Sequence, residues 1–269
     1  YNNIHTDQCD LIPLPPGNYV EINHCYEGRM EREFKDGFFY LMPGDLSIER
    51  KNEFNTKSYF PLSHYHGITI LIDIDNAPNS LSYFLNDINV SPAILAENFC
   101  SNDNYFISRS NQYIEHIFSE LYVIPDSIKK GYFKVKVLEL LLVLSCYDPN
   151  ENKKENKYLS RKQVSLAKDV CNYLISNIDK HITIAEAADT FHVSQTALKT
   201  AFKGVYGLPI YSYLRVHKMQ FAALLLRQTD QSIMEIANKL GYDNASKFSQ
   251  AFRDVMGLTP HEYRNTNKL

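Results

Sequence analysis

No apolar run in the chain approaches the roughly 18 residues that a membrane-spanning helix requires. The longest, Val137 to Leu144, is interrupted by Glu139 and reads as a buried helix, so no membrane partner is expected. The first twenty residues place Asp7, Asp10, Pro13, Pro15, Pro16 and Gly17 where the apolar centre of a secretory signal would sit, which argues against a signal peptide. Cysteine is sparse: five residues, at 9, 25, 100, 146 and 171, odd in number and without a C-x-x-C pair. That pattern suits free thiols in a reducing cytoplasm rather than a zinc site or a disulfide framework. No Ser-His-Asp arrangement, Walker phosphate loop or Rossmann glycine fingerprint is visible. These gaps favour a chain that is not an enzyme and carries no cofactor or metal.

What is present is an uneven distribution of charge. The net charge of the 269 residues is −3. Residues 1–160 hold 14 Lys and Arg against 22 Asp and Glu, a net −8, whereas residues 161–269 hold 14 against 9, a net +5. A cationic C-terminal third on an acidic body suggests that only the former meets a polyanion. Between them, DPNENKKENKYLS at 148–160 is polar, begins with Asp-Pro and has one aliphatic residue, Leu159. It reads as a linker between a domain at 1–147 and a domain at 161–269.

The first domain begins with short strand-like segments. Asp36-Gly37 between RMEREF and FFYLM signals a hairpin, Met42-Pro43-Gly44-Asp45 a second turn, and ITILIDI at 68–74 an alternating strand. Together they suggest a small antiparallel barrel or sandwich. Residues 111–147 change to helical spacing, with one stripe of Ile114, Ile117, Phe118 and Leu121 and another of Val137, Leu138, Leu141, Leu142 and Ser145. Alternation sets His24 and Tyr26 on the face of Val20 and Ile22, Arg32 between Met30 and Phe34, and His64 and His66 on the face of Ile68, Ile70 and Ile72. If these faces line a barrel, the five polar residues point inward and would orient a small-molecule effector. A shifted register or hydrogen-bonded core roles would remove them from any ligand, and metal binding by His24, His64 and His66 lacks the usual cupin H-x-H…E…H order. A metal-dependent cupin enzyme fused to a DNA-binding domain is the alternative reading.

The second domain contains an internal repeat. Thr183-x-x-Glu186 and Ser232-x-x-Glu235 are capping boxes 49 residues apart. Each opens a helix, with stripes Ile184, Ala187, Ala188, Phe191 and Ile233, Ile236, Ala237, Leu240. After a turn at His192-Val193 or Gly241-Tyr242, a second helix follows, capped by Ser194 or Asn244. Its apolar stripe is Leu198, Ala201, Phe202, Val205 in one copy and Phe248, Ala251, Phe252, Val255 in the other. Each copy closes with Val-x-Gly-Leu.

Two helices joined by a tight turn make a helix-turn-helix, whose second helix can enter a DNA major groove. The exposed face would be Gln195, Thr196, Lys199, Thr200 and Lys203 in copy one and Ala245, Ser246, Lys247, Gln250 and Arg253 in copy two, with Asn244 at its start. Short hydroxyls and amides suit base edges, lysine suits guanine or phosphate, and alanine suits a thymine methyl. Such faces also occur on ordinary solvated helices; their duplication on one cationic segment favours DNA. Residues 210–226 have helical spacing through Ile210, Leu214, His217, Phe221 and Leu225 and would join the units, with Arg215 and Lys218 as candidate phosphate contacts.

SIMEIANKLGYDNASKFSQAFRDVMGLTPHEYR, with Gly241-Tyr242, Phe248, Phe252, the Gly257-Leu-Thr-Pro260 turn and Tyr263-Arg264, resembles the DNA-binding domain of AraC/XylS-family transcription regulators. The resemblance implies base-reading positions at Thr196, Lys199 and Thr200 and at Ala245, Ser246 and Gln250. Some relatives carry larger or arginine side chains where Thr196, Thr200 and Gln250 stand here. Residues 1–147 are similar to the family's cupin-like effector and dimerisation half through Glu27-Gly28-Arg29 and Pro43-Gly44-Asp45. The implied fold is α+β: an N-terminal jelly-roll barrel with dimerisation helices, then an all-α domain with two helix-turn-helix units. The implied partners are double-stranded promoter DNA, a small-molecule effector and a second copy of the chain, with RNA polymerase left open as a further contact.

Overall fold

The computed structural model describes residues 1–10, 15–34, 37–51, 57–77, 90–100, 105–109, 112–149 and 158–266. They form two compact units, Tyr1–Tyr158 and Leu159–Leu269. Residues 150–157 of the expected linker lie outside the described residues. No helix among the described residues is long and apolar enough to cross a membrane.

The first unit is rich in sheet. Its strands are β1 (Asn2–Ile4), β2 (Gln8–Asp10), β3 (Tyr19–Gly28), β4 (Met30–Phe34), β5 (Gly37–Leu41), β6 (Asp45–Lys51), β7 (Lys57–Tyr59), β8 (Tyr65–Asp73) and β9 (Tyr105–Arg109). Helix α1 (Pro92–Cys100) precedes β9, and α2 (Gln112–Tyr122) and α3 (Lys129–Ser145) follow it. Five strands pair in the order β1-β8-β3-β6-β9, and β2-β7 and β4-β5 form two-stranded pairs, all antiparallel. The expected hairpin is β4–β5, with Phe34 opposite Gly37; Asp36 of the expected Asp-Gly signal lies outside the described residues. The second expected turn also forms. Asp45 N–H donates to the Met42 carbonyl at 2.9 Å, and Gly44 takes φ 84°, the left-handed conformation that glycine adopts without a Cβ penalty. Gly28 is fixed more tightly: at φ 82° a Cβ would lie 2.0 Å from the His64 carbonyl oxygen, beside the register shift between Cys25 and Glu27.

The two faces of the sheet have different partners. Val20, Ile22, Leu46, Ile48, Ile68 and Ile70 pack against Phe99 of α1, Ile114, Ile117, Phe118 and Leu121 of α2, and Leu140, Leu141 and Leu144 of α3. The other face packs Cys25, Met30, Leu41, Phe60, Tyr65 and Ile107 together, beside buried Glu21, Asn23, Arg32 and Lys51. Nineteen described residues belong to the helix-covered cluster and six to the other. At about 1.5–3 kcal/mol for each fully buried large side chain, the helix-covered face supplies most of the apolar stabilisation.

This division corrects one part of the expectation that the apolar faces bearing His24, Arg32, His64 and His66 line a common interior, because Arg32 is on the other side. The aliphatic face is the one the helices cover, and it takes His24 with it. Arg32 lies across the sheet with Glu21. The stripe on α2 forms as expected, whereas that on α3 is rotated: Leu140 and Leu144 are buried, and Leu138, Leu142 and Ser145 are half-buried.

The second unit is helical among its described residues apart from short connections. It comprises α4 (Arg161–Ser176), α5 (Ile184–Thr190), α6 (Gln195–Tyr206), α7 (Ile210–Gln228), α8 (Ile233–Lys239), α9 (Ala245–Met256) and α10 (Pro260–Thr266). Helix α7 faces two ways. Tyr213 meets Phe202 and Tyr206 of α6 with ring centroids 5.5 and 4.6 Å apart. Met219, Ala222, Ala223 and Leu226 join Ile236, Ala237, Phe248 and Phe252 in a second core. The expected stripe through Phe221 is therefore displaced, and Phe221 and Leu224 are exposed.

Candidate nucleic-acid interface

The two helix-turn-helix units are built by the same local bonds. At the start of α5, Glu186 N–H donates to Thr183 Oγ1 at 3.2 Å and Thr183 N–H donates to the Glu186 carboxylate at 2.7 Å. At the start of α8, Glu235 and Ser232 repeat both bonds at 3.2 and 2.7 Å. Backbone hydrogen bonds from Thr183 and Ser232, joined by hydroxyl bonds, hold both carboxyls below the ordinary glutamate range. Two further capping boxes, Ser160/Gln163 and Thr259/Glu262, open α4 and α10. The same S/T-x-x-E/Q signal was present in the sequence at both places.

The turns also match. Val193 N–H donates to the Ala188 carbonyl at 3.0 Å, and Tyr242 N–H donates to the Ala237 carbonyl at 2.9 Å. Both require a left-handed residue just before, His192 at φ 52° and Gly241 at φ 72°. The second helices are capped by Ser194, which accepts from Ala197 N–H at 3.1 Å, and by Asn244, which accepts from Lys247 N–H at 3.0 Å. They end at Gly207 and Gly257, both left-handed.

This scaffold fixes which sides of α6 and α9 meet solvent. Leu198, Ala201, Phe202, Phe248, Ala251 and Phe252 are buried, as the stripes require. Gln195, Thr196, Lys199, Thr200 and Lys203 are exposed on α6. Ser246, Lys247, Gln250 and Arg253 are exposed on α9, and Ala245 is half-buried. Asn244 is exposed, but its side-chain oxygen is the helix cap. Gln250 is tied to its own helix: its amide nitrogen donates to Asp254 at 2.6 Å and its oxygen accepts from Arg253 at 3.2 Å. Asp254 also pairs with Arg215 of α7. Asp254 escaped the sequence reading because its role depends on a partner 39 residues away.

Lys218 differs from the phosphate contact expected of it. Its ammonium donates to the Leu240 carbonyl at 2.7 Å, closing the end of α8, and lies 5.6 Å from the Tyr242 ring centroid. Burial lowers its pKa, opposed by Asp179.

Of the five residues expected at an effector site, the structure groups His24, Tyr26 and His66 near α2 and sets His64 and Arg32 apart. The His24 ring stacks on Phe118 with centroids 4.2 Å apart. Tyr26 and His66 meet edge-on at 5.4 Å, and both contact Tyr122. His64 lies 3.1 Å from the Glu27 carboxylate and stacks on His5. Arg32 pairs with Glu21 and lies 3.8 Å from Glu49 on the opposite side of the sheet. Among the described residues, no group of three or more His, Cys, Asp or Glu could hold a metal ion.

A family model described as "Helix-turn-helix domain" matches residues 187–266. The Tn10 TetD protein of Escherichia coli is 30% identical over 126 residues, covering 46% of this chain and 91% of that protein. A putative AraC-like transcription regulator of Streptomyces lividans is 37% identical over 82 residues, 30% of this chain and 27% of the relative. YtdP of Bacillus subtilis, described as an uncharacterized HTH-type transcriptional regulator, is 20% identical over 273 residues, 96% of this chain. The chain spans 33% of the length of that relative.

Proposed function

The chain belongs to the AraC/XylS family, and from that premise we propose that it is a sequence-specific regulator of transcription that binds promoter DNA through α6 and α9. The observation that carries this reading is the duplicated scaffold. Two second helices with the same caps, turns and buried stripe each expose a row of small polar and cationic side chains. Thr196, Lys199 and Thr200 on α6 and Ser246 and Gln250 on α9 are the proposed base readers. Lys203, Lys247, Arg253 and, once released from Asp254, Arg215 are the proposed phosphate contacts.

The remaining assignments belong to the same proposal. Residues 1–147 form an effector-sensing, cupin-like domain, α2 and α3 pair two copies of the chain, and 148–160 links this domain to the DNA-binding domain at 161–269. The protein works in the cytoplasm, and RNA polymerase is a further partner at the promoter. Effector binding acts by favouring one presentation of the DNA-binding domains over another, which requires different affinity for the two states. The alternative of a metal-dependent enzyme gains no support from geometry, because His24, His64 and His66 have separate partners.

The test is to capture genomic fragments with the full chain and sequence them. A shared motif in two parts, about one helical turn of DNA apart, is expected. Lys199→Ala should weaken binding to that motif by about 1–3 kcal/mol at fixed salt, with a smaller loss on random DNA. Capture without any enriched motif would overturn the sequence-specific reading.

A further inference from the structure

A cavity of about 300 Å³ opens between β3 and α2. His24 and Tyr26 line it from the strand, Pro43 and Gly44 from the turn before β6, and Glu115 and Ser119 from the helix. Its volume falls at the small end of ligand sites. It lies on the helix-covered side of the sheet, away from the Glu21–Arg32–Lys51 cluster.

The reason to assign it a ligand is His24. The residue is 4% exposed, and neither ring nitrogen has a hydrogen-bond partner. Buried polar atoms are ordinarily paired, and among the described residues few side chains, the Tyr122 hydroxyl beside Tyr26 included, share the His24 exception. Asn23, one residue earlier on the other face, accepts from the Tyr65 hydroxyl at 2.9 Å and the Thr69 hydroxyl at 3.3 Å. The His24 ring is held instead by stacking on Phe118, with an interplanar angle of 7°. Its orientation is therefore set before any hydrogen bond forms. Burial lowers its pKa to about 4, so at neutral pH the imidazole is uncharged, with one nitrogen donating and one accepting.

We propose that this cavity binds a small organic ammonium ion, with Glu115 offsetting its charge at the mouth and His24 accepting a hydrogen bond at depth. The polarity of the lining selects the class. The Ser119 hydroxyl donates to the His116 carbonyl at 2.9 Å, which leaves its lone pairs for a ligand. Glu115 is an acceptor when ionised, and neutral His24 adds another. No Lys or Arg is among the described residues lining the cavity. A carboxylate or phosphate would face Glu115 with no cation to offset it. An ammonium group brings three donors and the opposite charge, and the Tyr26 ring adds attraction for a cation. This assignment rests on the reading of the first unit as a sensor and names the class of molecule sensed.

The experiment uses the full chain labelled with ¹⁵N in histidine. The His24 signals are identified by their loss in His24→Phe. Benzylamine, benzyl alcohol and benzoate are titrated as cationic, neutral and anionic probes of one shape. Saturable shifts of His24 by benzylamine are expected, with affinity about tenfold or more above that for the alcohol. Benzoate should leave His24 unmoved. Glu115→Gln should weaken benzylamine by about tenfold while keeping the thermal midpoint, since Glu115 is exposed. Equal binding of benzoate or the alcohol would overturn the ammonium assignment and leave the sensor reading intact. Silence of His24 toward all three probes up to about 10 mM would overturn the site. Amine binding that leaves DNA affinity unchanged would support the site and overturn the sensor reading.

Discussion

Arg32 puts a guanidinium into the interior beside Glu21, with Lys51 2.8 Å from the same carboxylate. Burial alone would raise the Glu21 pKa, but Arg32 and Lys51 together hold it below the ordinary value. Removing Arg32 leaves Lys51 as the cation shared by Glu21 and Glu49, so the buried cluster is one positive charge short, which is the costly way to break a buried ion network. Arg32→Met should therefore destabilise the sheet-rich unit by about 3–5 kcal/mol in urea unfolding. A ligand-binding role for Arg32 would instead give a stable variant that loses effector response. Asp254 is the opposite case, an exposed residue whose deletion should help. It holds Gln250 and Arg215 to the protein and adds negative charge beside the proposed reading face. Asp254→Asn should tighten DNA binding by up to about 1 kcal/mol, the scale of an exposed ion pair, without shifting the thermal midpoint. Unchanged affinity at low salt would remove Asp254 from the account.

The turn between the paired helices shows how one element can be made in two ways. His192 and Gly241 occupy the same left-handed position, but only Gly241 is pressed against another segment. A Cβ at 241 would lie 2.6 Å from the Asp179 carbonyl oxygen. Gly241→Ala should cost about 1–3 kcal/mol, from strain and displacement of the α4–α5 connection. His192→Gly relieves the conformation of a side-chain-bearing residue but loosens the unfolded chain. Its net effect should stay within about 0.5 kcal/mol. Thermal unfolding of both variants checks the contrast. These elements were legible because their signals are local: S/T-x-x-E before each first helix, Ser194 or Asn244 before each second, and Gly207 or Gly257 after it. The stripes of α6 and α9 were legible for a similar reason, since each serves one core. Helix α7 was not, because it serves two and its buried face changes along its length. The cavity beside His24 was also hidden, since Glu115 comes from a helix 91 residues further along the chain. Alternation along β3 correctly grouped His24 with Val20 and Ile22. It could not say that helices, rather than a barrel interior, cover that face.

At the scale of the molecule, charge and architecture divide together: the acidic residues concentrate before position 161 and the cationic excess follows it. Within the cationic unit, α7 is the strut between the two proposed reading helices. Its 19 residues span about 28 Å at 1.5 Å per residue. It is fixed at one end by Tyr213 against α6 and at the other by Met219, Ala222 and Leu226 in the α8–α9 core. A strut packed at both ends holds the separation of α6 and α9, whereas a flexible connection would hold only a maximum distance. The two cases differ on altered DNA. Inserting about 5 base pairs between the two parts of the captured motif turns one part to the opposite side of the duplex and should defeat either arrangement. Inserting about 10 restores the face but moves the parts one turn further apart, roughly 34 Å. A flexible connection could follow that move, but a packed α7 cannot. Both insertions should therefore reduce affinity by about 100-fold, toward that of one half-motif alone, in gel-shift titrations at constant salt. Recovery with the 10-base-pair insertion would show that α6 and α9 move independently on DNA.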